Sequence, residues 1–191
     1  MTTGTLEFAA RHSCDSPEWY TPSPFVEAAR AVMGGIDLDP ASHEEANRTV
    51  KATRFLTAED DGLAQPWKGR VFLNPPGGLV GEFWLKLLRE YAVAVHPVAE
   101  AIWIGYSLEQ LQTLQCVGAI ATPLDFPMCV TKKRIAFVEN EAKRAARMAK
   151  LVAAGKKPNA KSSPSHSNYI TYLGPHVDRF REVFSQFGAT R

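Results

Sequence analysis

The sequence predicts an α/β domain whose sheet is mostly parallel, with helices on both faces. Short apolar runs that stop at Pro or Asn alternate with longer segments in which apolar residues recur at helical spacing. Strands that alternate with helices are typical of a sheet covered by helices. The 191 residues, 45% hydrophobic and 22% charged, are enough for one such domain with a core of its own.

The individual elements follow from their local boundaries. Capping residues before a periodic segment and Gly after it mark helix ends, which predicts helices over 23–33, 42–51, 83–95, 108–115, 141–154 and 177–187. Apolar or alternating runs predict strands over 36–39, 71–73, 101–104, 117–121, 135–138 and 168–173. In open α/β sheets ligands bind at the carboxyl ends of the strands, so polar residues that follow a predicted strand are the first candidates for a site.

The chain is expected to hold one domain with a basic insertion. Residues 1–17 are polar and are expected to be a flexible segment, and residues 18–191 are expected to form the domain. Residues from about 140 to 167 are a predicted basic helix and a polar loop. Between Lys132 and Lys161, ten basic residues outnumber two acidic ones, so this stretch carries +8 although the whole chain carries +2. Such asymmetry is typical of a protein that binds a polyanion, with a solvated helix as the alternative.

Composition disfavours several classes of protein. No apolar run approaches the roughly 20 residues that span a bilayer, and the N-terminus lacks the basic start and apolar core of a secretory signal. Cys14, Cys116 and Cys129 form no CxxC pair, so neither a disulfide framework nor a zinc site is expected. We therefore expect a cytoplasmic protein with no membrane partner and no metal.

The most specific chemical signal is Asn74-Pro75-Pro76, directly after the predicted strand over 71–73. Two prolines fix two backbone φ angles and remove two N–H donors, which leaves carbonyl groups facing outward without a partner in the sheet. An Asn side-chain oxygen beside such a carbonyl offers two close acceptors. They can hold both N–H groups of a primary amine and leave its lone pair to attack an electrophile. An ordinary Asn-Pro turn is the alternative, but two prolines after a buried strand favour the functional interpretation.

A second signal is the segment Asp37-Leu38-Asp39-Pro40-Ala41-Ser42. Residues i and i+2 of a strand project to one face, so Asp37 and Asp39 are expected to point together. Such a pair can accept hydrogen bonds from ribose hydroxyls or from the amino group of a cofactor, bind a metal, or cap the helix that follows. The motif alone does not decide between these roles.

Two further motifs are less specific. Asp60-Asp61-Gly62-Leu63 is a turn signal, and it can also place a carboxylate near the adenine amine of a cofactor. Glu18-Trp19-Tyr20-Thr21-Pro22 brings two aromatic rings together in a polar region, where they could cover the core or line a binding wall.

Together, these four segments resemble the phage-type DNA N-6-adenine methyltransferase family. They stand in that family's order, together with Asn47 and Trp67. Arg134-Ile135-Ala136-Phe137 and residues 165–172 are similar to its later blocks, so the likeness extends over roughly residues 18–188. Asn-Pro-Pro alone also occurs in other amino-methyltransferases, whereas the ordered set of segments is far more specific.

The resemblance implies a Rossmann-like methyltransferase fold, S-adenosylmethionine as methyl donor and double-stranded DNA as partner, in a bacterial or phage-infected cell. It implies that Asn74, Pro75, Pro76 and Gly77 form the catalytic block, in which Asn74 and Pro75 hold the target amine. The residues it implies around the cofactor are Trp19, Tyr20, Thr21, Pro22, Asp37, Asp39, Pro40, Ser42, Asp60 and Asp61.

The catalytic block departs from the family at its fourth residue. That residue is usually aromatic and stacks on the target base, but here it is Gly77, followed by Gly78. Base–aromatic stacking contributes ~1–3 kcal/mol per base, so another ring is expected to substitute. Trp103 and Tyr106, at the end of the next predicted strand, are the candidates. No GxG loop precedes the cofactor acid, so residues 37–42 must serve in its place.

The basic stretch is assigned to DNA phosphates. Such contacts predict an affinity that depends steeply on salt and little on base sequence. The residues assigned to this role are Lys132, Lys133, Arg134, Lys143, Arg144, Arg147 and Lys150.

Three other functions fit parts of the sequence. A non-catalytic DNA-binding protein on a methyltransferase scaffold would explain Gly77. A metal-dependent nuclease could use the four aspartates of the second and third motifs, but no convincing catalytic Lys accompanies them. An amino-methyltransferase that acts on RNA, a protein amide or a modified base would keep the Asn-Pro-Pro segment unchanged.

Overall fold

The computed structural model of the chain describes residues 19–92, 98–155 and 166–191. It divides into two compact units. Within the described residues, the larger unit comprises 21–92, 98–135 and 166–191, and the smaller unit comprises 19–20 and 136–155. None of the helices found in these ranges is long and apolar enough to cross a bilayer. The expectation of a single domain with an insertion stays a prediction.

The strands, numbered along the chain, are β1 (Trp19–Tyr20), β2 (Leu38–Asp39), β3 (Arg54–Phe55), β4 (Gly69–Leu73), β5 (Val98–Tyr106), β6 (Met128–Thr131), β7 (Val138–Glu139), β8 (Asn168–Leu173) and β9 (Gly188–Thr190). The helices are α1 (Ser23–Met33), α2 (Glu44–Val50), α3 (Val80–Ala92), α4 (Leu108–Cys116), α5 (Glu141–Ala153) and α6 (Val177–Phe184). Short 3₁₀ turns cover Gly77–Leu79 and Pro123–Asp125.

The larger unit is built on a seven-stranded sheet with the order β3-β2-β4-β5-β8-β6-β9. Strands β3, β2, β4 and β5 run parallel to their neighbours. Strand β8 is antiparallel to both β5 and β6, and β9 is antiparallel to β6. The prediction of a mostly parallel sheet is therefore wrong for one half of the sheet. The prediction took the alternation of strands and helices to indicate parallel strands, but β8, which follows α5 along the chain, is antiparallel to both of its neighbours.

Helices cover both faces of this sheet, as predicted. Trp103 on β5 packs edge-on against Trp84 of α3, with ring centroids 5.0 Å apart. On the opposite face, Tyr172 of β8 stacks on Phe180 of α6 at 5.4 Å. Neighbouring positions of a strand face opposite sides, and Tyr172 pairs with Ile102, the neighbour of Trp103. Burying large aromatic rings on both faces stabilises the sheet from two sides.

Local signals explain the boundaries of α1. Pro24 lies in its first turn, where the missing N–H costs nothing, and Gly34 ends it in a left-handed conformation with φ of 74°. The Gly34 N–H donates to Arg30 O at 2.8 Å, which closes the last turn. The predicted and observed bounds of this helix coincide.

One predicted strand is wrong, another is mostly wrong, and four strands were missed. Residues 117–121 form turns after α4, because Gly118 adopts φ of 71° and Ile120 is 89% exposed. Within 135–138 only Val138 is in a strand, β7. The missed strands are β1, β3, β6 and β9, each of only two to four residues. Part of the predicted helix over 83–95 and most of the loop over 155–167 lie outside the described residues.

The smaller unit pairs β1 with β7 in an antiparallel ribbon and adds α5. Trp19 pairs with Glu139, and Tyr20 pairs with Val138. The Asn140 side-chain amide donates to the Tyr20 hydroxyl at 2.8 Å, which ties the ribbon to the residue before α5.

Candidate active site

The connections of the sheet reverse direction between β2 and β4. The chain leaves β2 to form β3 on one side and then returns to form β4 on the other side of β2. In open α/β sheets such a reversal opens a crevice at the carboxyl ends of the two strands, and ligands bind there. Asp39 is the last residue of β2, and Asn74 directly follows β4.

The register of β2 and β4 brings these two residues close. Leu38 pairs with Val71, so Asn74 lies two residues beyond the level of Asp39. With strands ~4.8 Å apart and a rise of ~3.3 Å per residue, the two Cα atoms are about 8 Å apart. Asp39 and Asn74 therefore lie at the same edge of the sheet.

The segment after β4 becomes exposed only beyond Pro75. Val71 and Leu73 are fully buried, Asn74 is half-buried and Pro75 is buried, whereas Pro76 and the two glycines after it are exposed. Pro76 is extended, with φ of −60° and ψ of 136°, and its carbonyl accepts from Leu79 N at 3.0 Å. Two successive prolines impose this extended path, and α3 begins only at Val80.

Asp39 is a buried carboxyl group at the reversal point. It is 4% exposed and accepts a hydrogen bond from Ala41 N at 3.3 Å. Burial raises the pKa of Asp39 to about 7, against opposing effects of the nearby Ser42 hydroxyl and the Ala41 amide. A carboxyl group whose pKa lies near neutrality is typical of a ligand-binding or catalytic position.

The Asp60-Asp61-Gly62-Leu63 motif packs against Pro40, the residue that follows β2. A Cβ atom on Gly62 would clash with the Pro40 carbonyl oxygen, so only glycine allows the two loops to approach this closely. Asp61, at φ of 53°, accepts from the backbone N–H groups of Leu63 and Ala64 at 3.1 and 3.3 Å. The loops that carry the second and third motifs therefore meet at Gly62 and Pro40.

The Asp60 side chain stabilises a local turn. Its carboxylate accepts from both the backbone N–H and the hydroxyl of Thr57, at 2.8 and 3.0 Å. These bonds hold the pKa of Asp60 below its usual value. Of the two adjacent acids, Asp61 is the one that borders the Gly62 contact with β2, and the cofactor role of either stays a prediction.

Asp37 requires a correction. The sequence analysis expects it to point with Asp39 toward a cofactor, but its carboxylate is held by the Arg70 guanidinium at 2.9 and 2.7 Å and by Arg70 N at 2.9 Å. The ion pair holds the pKa of Asp37 below its usual value. Arg70 lies four residues before Asn74 on β4, about 13 Å away at the strand rise. Asp37 therefore fastens β2 to the start of β4.

Two hydroxyl groups of the predicted cofactor set are buried and make no hydrogen bond within the described part of the chain. They belong to Thr21, which is 5% exposed, and Ser42. The Ser42 hydroxyl lies close enough to lower the pKa of Asp39, but not in hydrogen-bonding geometry. A buried hydroxyl without a partner costs free energy, so such atoms mark places where a ligand can supply the bond.

The remaining predicted cofactor residues are divided between the units. Pro22 precedes α1 in the larger unit, where its carbonyl accepts from Phe25 N at 3.1 Å. Trp19 and Tyr20 form β1 in the smaller unit. Their cofactor role stays a prediction.

The cations assigned to DNA are placed as follows. Lys132, Lys133 and Arg134 are exposed in the larger unit, and Arg144 and Lys150 are exposed on α5 in the smaller unit. The side chain of Lys143 lies outside what the structure describes.

Arg147 requires a second correction. Its guanidinium donates to both carboxylate oxygens of Glu139, at 2.9 and 2.8 Å. Arg147 holds the pKa of that buried carboxylate below its usual value. The ion pair occupies the group that the sequence analysis assigned to phosphate, so Arg147 links α5 to β7 within the smaller unit.

The polar cluster at the end of β5 was not predicted from the sequence. The Gln110 side-chain oxygen accepts from Tyr106 N and from the Tyr169 hydroxyl, both at 2.7 Å. Ser107 adopts φ of 61° and ψ of 159°, a region that is essentially limited to glycine. Strain of this kind has no signature in the sequence, although Tyr106 does stand at the end of a predicted strand.

A mixed sheet that reverses direction beside a buried acid and an Asn-Pro-Pro segment defines an α/β domain of the class in which ligands bind at the carboxyl edge of the sheet. The description of the matching family is more specific: the model for DNA N-6-adenine-methyltransferase (Dam) matches residues 11–154. The chain therefore belongs to the DNA N-6-adenine-methyltransferase (Dam) family, as the sequence resemblance predicted. A comparison with curated proteins gives no match. Family membership implies DNA adenine methyltransferase activity in general.

Proposed function

We propose that this protein moves a methyl group from S-adenosylmethionine to the exocyclic amine of adenine in DNA. The observation that carries the proposal is the position of Asn74 and Pro75, directly after β4 at the reversal point, where the strand register and ideal strand spacing bring the Cα atom of Asn74 to about 8 Å from that of Asp39. The family match supplies the acceptor, adenine in DNA.

The residues around Asp39 fit an adenosine-containing donor. A buried carboxyl group can accept hydrogen bonds from ribose hydroxyls, and the nearby Ser42 hydroxyl is buried without a hydrogen bond to any described residue. Gly62, which lacks a side chain, packs directly on the Pro40 carbonyl beside this acid. S-adenosylmethionine, when bound, supplies a methyl group on a positively charged sulfur, so a neutral thioether leaves.

The Asn74 side-chain oxygen and the Pro75 carbonyl would accept the two N–H bonds of the adenine amine. Accepting both bonds raises the electron density on nitrogen and favours the tetrahedral geometry that attack requires. The chain then needs no strong base, because positioning and electrostatics supply most of the catalysis. Among the described residues, no group of three or more His, Cys, Asp or Glu side chains could hold a metal ion.

The target adenine must leave the duplex to reach this edge, at a cost of a few kcal/mol. Exposed cations can offset part of this cost by holding the phosphates on either side of the base. Lys132, Lys133 and Arg134 follow β6 in the larger unit and are solvent-exposed.

The substitution Asn74→Ala tests the proposal. We expect it to abolish transfer of labelled methyl groups from S-adenosylmethionine to unmodified DNA, while the calorimetric affinity for S-adenosylmethionine stays within about twofold of wild type. Gln112→Ala is the matched control, since it removes an exposed amide from α4. Methyl transfer at a near wild-type rate by the Asn74→Ala protein would refute the assignment.

A further inference from the structure

We propose that the Tyr106 ring contacts the target base, in the place that a side chain at position 77 would otherwise occupy. The inference rests on the proposed function and adds a base-contacting residue to it. It starts from one contact: a Cβ atom on Gly77 would lie 2.6 Å from the Tyr106 hydroxyl oxygen and 3.6 Å from its Cζ atom. Gly77 follows the Asn-Pro-Pro segment directly, so the Tyr106 hydroxyl lies next to the residues that are proposed to bind the target amine.

The pairing of β4 and β5 explains how Tyr106 reaches this position. Leu73 pairs with Trp103, so β5 continues past the end of β4 and carries Tyr106 alongside the segment that starts at Asn74. The Gly77 backbone does not have a positive φ, so the absent side chain is not required by backbone conformation. A side chain at position 77 would instead force the Tyr106 hydroxyl to move.

Hydrogen bonds from the backbone N–H groups of Tyr106 and Ser107 fix the position of Tyr106 without involving its ring. Its N–H donates to the Gln110 side-chain oxygen at 2.7 Å, and the Ser107 N–H donates to Ser167 O at 2.9 Å. The Ser107 backbone is strained, and strained residues cluster where the surrounding structure must fix a functional group. The other side-chain atom of Gln110, its amide nitrogen, is buried without a partner.

The chemical properties of Tyr106 suit an aromatic ring on which the target base stacks. The residue is half-buried, so part of the ring remains accessible. Burial raises the pKa of its hydroxyl, which therefore stays protonated near neutral pH. Trp103, the other candidate ring, is fully buried against Trp84 and cannot stack on a base without unfolding the core.

The first experiment separates the ring from its surroundings. Methyl transfer from labelled S-adenosylmethionine to unmodified plasmid DNA is measured for Tyr106→Leu and Tyr106→Phe. Stacking of one base on an aromatic ring corresponds to a factor of about 5 to 150. We expect Tyr106→Leu to lower kcat/KM for DNA by a factor in this range, Tyr106→Phe to keep most of it, and both to bind S-adenosylmethionine as wild type does.

The adjacent glycines provide a matched pair. A Cβ atom at position 77 displaces the Tyr106 hydroxyl, whereas a Cβ atom at position 78 meets nothing within 4 Å. We expect Gly77→Ala to lower kcat/KM for DNA several-fold and Gly78→Ala to leave it unchanged. Equal effects of the two substitutions would overturn the inference.

A ring transplant distinguishes a base contact from a structural role. The double variant Gly77→Tyr with Tyr106→Ala returns an aromatic side chain to position 77, where the space is then open. We expect it to recover at least half of the activity that Tyr106→Ala loses. If the Tyr106 ring only stabilised the local structure, the double variant would recover no activity. The hydrogen bond to Gln110 involves only the backbone of residue 106, so it can form in each of these variants.

The outcomes separate this inference from the function on which it rests. If wild-type protein transfers no methyl group to DNA, both proposals fail. If wild type is active and Tyr106→Leu is equally active, the inference alone fails and the proposed function stands.

Discussion

Arg70 holds Asp37 with three hydrogen bonds, two from its guanidinium at 2.9 and 2.7 Å and one from its backbone N–H at 2.9 Å. Two residues further along β2, Asp39 has no ion pair among the residues that the structure describes. The two acids of one short motif are therefore separated in role. One carboxylate fastens the residue before β2 to β4, and the other is buried at the carboxyl edge of the sheet.

The first prediction concerns the stability that Asp37 provides. Its pKa is lowered from 3.8, so its contribution is present above about pH 4 and is lost as the pH falls through the lower folded value. Because both partners are about one-third exposed, Asp37→Asn should cost only about 1 kcal/mol at pH 7. Urea unfolding at pH 7 and at pH 3 measures this cost, and an equal cost at both values would contradict the ion-pair assignment.

The second prediction concerns the stability that Asp39 withholds. The folded protein keeps this carboxyl group protonated up to a pKa of about 7, whereas the unfolded chain ionises near 3.8. Stability should therefore fall as the pH rises from about 4 to 7. Asp39→Asn should remove this fall and stabilise the protein above pH 7 by an amount on the order of a few kcal/mol. Unfolding midpoints that depend on pH equally in the two proteins would refute it.

The third prediction contrasts the two acids in cofactor binding. Asp39→Asn should weaken S-adenosylmethionine binding at pH 8 at least tenfold while it stabilises the fold. Asp37→Asn should weaken the fold and leave the affinity nearly unchanged. Calorimetric titration of both variants measures this contrast, and loss of affinity in Asp37→Asn alone would reverse the assignments.

The fourth prediction separates two arginines of α5. Arg144 is exposed, so Arg144→Ala should weaken binding to duplex DNA and lower the slope of log K against log salt by about 1, with the fold unchanged. Arg147 neutralises the buried Glu139 carboxylate, so Arg147→Ala should lower the thermal midpoint of the protein. Fluorescence anisotropy at several salt concentrations and thermal unfolding measure the two effects. An Arg144→Ala protein with an unchanged salt slope would contradict the phosphate role.

Much of the fold on the parallel side can be predicted from the sequence. Helix α1 has Pro24 and Gly34 at its ends, and the strand that becomes β4 is an uninterrupted apolar run before two prolines. The antiparallel half is harder, because the alternation of helices and strands does not fix the direction of β8, β6 and β9. Nothing in the basic sequence of α5 reveals that it belongs to a separate unit.

The candidate site shows a similar division. The proximity of Asp39 to Asn74 follows from the rule for carboxyl edges, and Gly62 follows from its motif. The commitment of Asp37 to Arg70 and of Arg147 to Glu139 depends on pairs distant in sequence or packed across a turn, which charge patterns alone do not identify. The contact between Tyr106 and Gly77 is visible only in three dimensions, although the missing ring at 77 indicates where to look.

The most direct test of the central claim is the chemical identity of the product. Purified protein is incubated with S-adenosylmethionine and DNA from a methylation-deficient host, and the DNA is digested to nucleosides for mass analysis. The account predicts N6-methyldeoxyadenosine as the new nucleoside, formed by wild type and absent with Asn74→Ala. A methyl group on another base, or no methylated nucleoside from a wild-type protein that binds the donor, would contradict it.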